Sequence, residues 1–102
     1  MTRCWAAPLA DSGAEQVWRA LQRAERFYMY STGADPPGTV LFSLQDREFA
    51  SPEEFAKFAA RVQAVVEQAS QQPCAVELAY YPAGSLAPKF QASSSGSKPS
   101  PM

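Results

Sequence analysis

From Asp11 to Tyr28 the apolar positions Val17, Leu21, Ala24 and Tyr28 recur at spacings of three and four, joined on adjacent positions by Ala14 and Trp18. That period predicts an amphipathic helix, with Asp11-Ser12-Gly13 supplying two N-cap candidates. Glu15 stands four residues ahead of Arg19, and Arg19, Arg23 and Arg26 fall on the solvated side. Near Arg26 the residue types turn aromatic and β-favouring through Phe27-Tyr28-Met29-Tyr30-Ser31-Thr32, which predicts a strand. Gly33-Ala34-Asp35-Pro36-Pro37-Gly38 breaks it and reads as a hairpin connection. The stretch Thr39 to Gln45 then alternates, Val40, Phe42 and Leu44 against Leu41 and Ser43. Both of its faces have apolar character, so this strand is expected to be central or covered on both sides at one end.

Ser51-Pro52-Glu53-Glu54 is a capping box with proline at the first helical position, the strongest local signal in the chain. The helix it opens lines Phe55, Phe58, Ala59, Val62, Val65, Val66 and Ala69 along one stripe and puts Lys57, Arg61, Glu67 and Gln68 elsewhere. Pro73 ends it. Cys74 to Tyr81 alternates as a last strand, Val76, Leu78 and Tyr80 inward, until Pro82. The order α-β-β-α-β implies an α+β two-layer sandwich: a three-stranded, mainly antiparallel sheet with both helices on one face and the residue 27–32 strand in its middle.

With 102 residues and a hydrophobic share of 46%, one domain is expected, over residues 11–82. Residues 1–10 read as a flexible segment, too weakly apolar and too broken by Pro8 for a secretory signal. Residues 83–102, rich in Ser, Pro, Gly and Ala, read as a disordered tail with Phe90 as its one anchor. A folded part of about 80 residues buries a modest fraction of its surface, which favours a homodimer. No window approaches a membrane span, so a cytoplasmic protein is expected.

Nine basic residues against ten acidic ones leave a net charge of −1, which argues against direct nucleic-acid binding through phosphates. Histidine is absent, and with it imidazole catalysis, imidazole pH switches and most catalytic zinc sites. Cys4 and Cys74 read as tolerated free thiols with no base to activate them. Asp46, Arg47 and Glu48 fit a solvated connection whose charge favours the following helix, and Glu53 and Glu54 are capping residues before they are acids or bases. Gly33 to Gly38 lacks the Lys-Ser/Thr pair and the backbone donors of a phosphate loop. The three arginines of the first helix form a basic stripe, but Asp11, Glu15 and Glu25 neutralise the same region. Neither a metal nor a cofactor is expected.

The aromatic residues carry the positive signal. Eleven of the twelve precede Pro82, more than the six or seven such a core can use. Trp5, Trp18, Tyr28, Tyr30, Tyr80 and Tyr81 are the candidates for the surplus, and Trp and Tyr are the residue types that anchor protein interfaces. Trp18, Tyr30 and Tyr28 are therefore the expected protein-binding residues, with Arg23 and Arg26 steering from the rim.

The small size, the α+β order, the Ala/Gln/Glu-rich helices and the Ser/Pro tail resemble, over residues 11–82, the small bacterial quorum-sensing antiactivators that sequester a LuxR-type regulator. That resemblance implies inhibition by occupying the regulator's dimerisation surface, without enzymatic activity or cofactor. The alternative is a small dimeric enzyme or small-molecule carrier with a pocket on the open sheet face, lined by Tyr28, Tyr30 and Tyr81.

Overall fold

The computed structural model describes residues 1–71 and 73–94 of the chain. Seven elements follow one another: β1 (Thr2–Ala7), α1 (Asp11–Glu25), β2 (Met29–Ala34), β3 (Thr39–Leu44), α2 (Pro52–Ser70), β4 (Ala75–Tyr80) and β5 (Phe90–Ser94). The strands form one sheet in the order β2-β3-β1-β4-β5, every adjacent pair antiparallel. Because β3 lies between β1 and β2, the first β-α-β unit is split, and so is the second, with β1 between β3 and β4. This is the ferredoxin-like β-α-β-β-α-β arrangement with one extra edge strand.

The three-stranded sheet and the α-β-β-α-β order expected from the pattern are thus corrected. The α+β class and the two helices stand; the sheet has five strands, and the residue 27–32 strand is at its edge. Residues 2–7, expected to be a flexible lead-in, form the central strand. They alternate Thr2, Cys4 and Ala6 inward with Arg3, Trp5 and Ala7 outward. Every inward side chain is small and fully buried, which lets the helices pack close above the sheet centre, and small side chains give little hydrophobic periodicity to read. Part of the expected tail is also ordered. Phe90 pairs with Tyr80 in β5, after Lys89 donates its amide to the Tyr80 carbonyl at 2.7 Å. The rest of the expected tail, residues 95–102, lies outside the described residues.

Local signals set the helix ends. Ser51 Oγ accepts from the Glu54 amide at 3.1 Å, and Glu54 Oε1 accepts from the Ala50 amide at 2.9 Å, closing the capping box. The start of α1 differs from expectation. Its N-cap is Ala10, with no side-chain cap, and Asp11 is the first helical residue, where its charge suits the helix dipole. Arg26 ends α1 in the left-handed conformation at φ 65°, its amide donating to the Gln22 carbonyl. The chain then enters β2.

The core lies between the helices and one sheet face. Phe27, Phe42, Phe49, Phe55, Phe58 and Tyr80 are buried in it with Val17, Leu21, Val62, Val66, Val76 and Leu78. Tyr80, a candidate for the aromatic surplus, is a core residue. Phe49 meets Phe55 and Tyr80 edge-on at 5.1 and 5.2 Å between centroids, a geometry that aligns ring edges with ring faces.

Two buried hydroxyls, Thr2 Oγ1 and Thr39 Oγ1, have no hydrogen-bond partner among the described residues. A hydroxyl removed from water without compensation costs roughly 1–3 kcal/mol, and valine keeps the shape without the hydroxyl. Thr2→Val and Thr39→Val are therefore each expected to stabilise the protein by about 1 kcal/mol, raising Tm by roughly 4–8 °C. An unchanged or lower Tm for both variants in thermal melts would contradict this.

Candidate functional site

Both helices cover one face of the sheet, and among the described residues the other is left open. The pairing register fixes what that open face presents: Met29, Ser43, Arg3, Ala79 and Gln91 form one cross-strand row, and Ser31, Leu41, Trp5, Glu77 and Ser93 the next. Trp5, half-buried at the centre of β1, separates two clefts. One of about 500 Å3 lies toward β5 and is lined by Glu77, Tyr81, Gln91 and Ser93. The other, about 400 Å3, lies toward the β2–β3 turn and is lined by Asp35, Pro36, Thr39 and Ala75. At the sheet end the Arg3 guanidinium lies 5.4 Å from the Tyr81 ring centroid, a cation–π contact.

The five residues expected to bind a partner are distributed over three places. Trp18 and Tyr30 do meet: their rings lie 5.4 Å apart, and Tyr30 continues onto Phe42 at 5.9 Å. Both pack against the core where α1 crosses β2, on the helix side of the sheet. Arg26 and Tyr28 line a separate cleft with Leu44, Gln45 and Asp46 at the C-terminal end of α1. Tyr28 is 43% exposed and its neighbour Met29 47%. Arg23 faces a third hollow, between α1 and α2, beside Ala20, Val65 and Ala69. Of the three tyrosines expected to line a pocket on the open face, Tyr81 does so, whereas Tyr30 is on the covered face and Tyr28 borders the α1 cleft.

The charges are arranged differently from their sequence neighbourhoods. Glu25, its side chain 10% exposed, does not neutralise the arginines of its own helix. It accepts from Arg61 Nε at 3.0 Å and from Arg47 Nη1 at 3.3 Å. Both guanidinium groups also lie over the buried Phe58 ring, at 4.9 Å for Arg47 and 5.8 Å for Arg61. One carboxylate thus ties the end of α1 to the β3–α2 connection and to α2. Arg19 pairs with Glu15 at 2.6 Å, so Arg23 and Arg26 are left without an ion pair among the described residues. They are available to steer an acidic partner.

Burial pushes the Cys4 thiol well above its ordinary range, which leaves it protonated and a poor nucleophile. Cys74 is buried too, its Sγ 3.6 Å from the Pro8 carbonyl oxygen, which accepts from it. Among the described residues no group of three or more Cys, Asp and Glu is placed to hold a metal ion, and no helix is long and apolar enough to cross a membrane.

Trp5 is the residue whose importance the local pattern understated. It counts among the surplus aromatics, but its placement depends on reading residues 2–7 as a strand, and the Arg3/Trp5/Ala7 alternation against Thr2/Cys4/Ala6 is the signal for that. Compared with protein-family models, curated proteins and solved structures, the chain matches none. Its own geometry therefore carries the functional reading, since a fold by itself does not imply a function.

Proposed function

We propose that the protein is a non-enzymatic interaction module that binds a larger regulatory protein and blocks that protein's own dimerisation contact by steric competition. The observation that carries this reading is the Tyr28-Met29 step. Two adjacent large apolar side chains stand exposed at an edge strand, next to an arginine with no ion pair among the described residues. An edge strand also offers unpaired backbone groups to a partner. Where α1 crosses β2, the tilted Trp18–Tyr30 pair is already held in place by the core, so seating a partner against it costs little side-chain entropy. Tyr28, Trp18 and Tyr30 act as the anchors, and Arg26 and Arg23 as the charged rim. The resemblance to quorum-sensing antiactivators makes a cytoplasmic transcriptional regulator the first partner to try.

The test is a titration of the tagged chain against the regulator that co-purifies with it, following both binding and the regulator's self-association. Tyr28→Ala is expected to weaken binding at least about tenfold, as loss of an interface anchor does, with the variant's melting curve unchanged because the ring is half-exposed. Arg26→Glu should slow association, more so at low salt. A complex indifferent to both substitutions, or one in which the regulator keeps its own dimer, would overturn the reading.

A further inference from the structure

Among the described residues the open sheet face has no covering layer, and Trp5 at its centre is half-buried between an apolar neighbour, Leu41, and a charged one, Glu77. Trp5 faces Leu41 across one strand boundary, Ala7, Ala75 and Ala79 surround it, and Met29 extends the apolar surface to the edge. We propose that a second copy of this chain packs on this face, forming a symmetric dimer in which Arg3 of each copy meets Glu77 of the other beside paired Trp5 rings.

Charge supplies the first argument. Arg3 and Glu77 are the charged residues at strand positions of this face, one of each sign, and neither is in an ion pair among the described residues. Asp35 adds a negative charge at the β2–β3 turn, on the rim, but the strand positions themselves balance; a self-complementary interface needs each of those charges to meet its opposite across the two-fold.

The register shows that this meeting is geometrically available. Arg3 is opposite Ala79 and Trp5 opposite Glu77, so the four Cα positions form a rectangle with Arg3 and Glu77 at opposite corners. Its sides are about 4.8 and 6.8 Å at ordinary sheet spacing. A two-fold axis lying in the interface and bisecting that diagonal exchanges the two corners, placing Arg3 over Glu77 and Glu77 over Arg3. The same axis passes within about 2 Å of Trp5, so each indole faces its symmetry mate. The strands of the two sheets then cross at roughly 70°, near the orthogonal class of sheet packing.

Area supplies the third. Five strands of five or six residues span roughly 400–500 Å2 in projection, and side-chain relief adds to that. The flat projection is thus somewhat below the about 600–1,000 Å2 per partner of a specific interface, and relief of the side chains and the flanking turns must supply the remainder. The Tyr28 edge proposed above for the regulator includes Met29, but its other contacts lie beyond this face.

Sedimentation equilibrium on the full chain, from low to high micromolar concentration, tests the dimer with Arg3→Glu, Glu77→Arg and the double exchange. The wild type is expected to dimerise, and each single reversal to raise Kd at least about tenfold by setting like charges together. The double exchange should return to within about threefold of wild type. Circular dichroism should show the same fold throughout, since both side chains are exposed. A wild type that stays monomeric, single reversals that leave the dimer unchanged, or a double exchange that fails to restore it would each overturn the proposal. A monomer stabilised by a small molecule in the Trp5 clefts would overturn it too. A monomer that still binds the regulator through Tyr28 would sink the dimer alone.

Discussion

Deletion of residues 1–7 is expected to abolish folding. β1 is paired along its length with β3 on one side and β4 on the other, so its removal divides the sheet into a β2-β3 hairpin and a β4-β5 hairpin. Isolated two-stranded hairpins are marginal in water at best. The deletion also takes Thr2, Cys4 and Ala6 from beneath the helices and leaves two rows of backbone donors and acceptors inside the molecule without partners. Domains of this size are stable by about 5–15 kcal/mol, and losing the central strand exceeds that. The purified variant should show no cooperative thermal transition and a poorly dispersed amide spectrum. If it melts like the full chain, residues 2–7 are not the sheet centre.

Phe58→Ala is expected to have the next largest effect. The ring is fully buried, packs with Phe27, Phe49 and Phe55 at 5.0 to 6.2 Å between centroids, and lies under both arginines that Glu25 holds. Truncating a buried phenylalanine costs about 3–5 kcal/mol through lost transfer energy and the cavity left behind. For a domain this small that lowers Tm by on the order of 20 °C. Phe58→Leu separates the two contributions. It restores most of the volume without an aromatic face for the guanidinium groups, so it should recover most of the stability if packing dominates. A leucine variant as unstable as the alanine variant would show that the ring's own contacts, aromatic and cation–π together, carry the cost. Urea denaturation of the three proteins measures the difference.

The clarity of each element in the sequence follows from how locally it is determined. α2 was fully legible: its capping box is closed by residues three and four apart, and its stripe from Phe55 to Val66 is large and regular. β3 and β4 were legible because their inward side chains, Val40, Phe42 and Leu44 or Val76, Leu78 and Tyr80, are large and alternate cleanly. β1 carries the same alternation in small side chains, and β5 has Phe90 alone to mark it. Both owe their structure to neighbouring strands. Of the candidate site, Tyr28 is exposed, Trp18 and Tyr30 pack against the core that the aromatic surplus was expected to exceed, and Trp5 gained its position only with β1.

The sequence by itself determined the two helices, the β3 and β4 strands with their large inward residues, a helix-to-strand handover near Arg26 and the near-neutral charge, because the elements depend on residues a few positions apart. The tertiary structure decided which strand is central, which carboxylate serves which arginine, and which face is left open. Those depend on partners far along the chain: Glu25 reaches residues 22 and 36 positions away, and Thr2 lies opposite Tyr80. Ladder hydrogen bonds and ion pairs are properties of juxtaposition, and no local pattern of hydrophobic and polar residues encodes them.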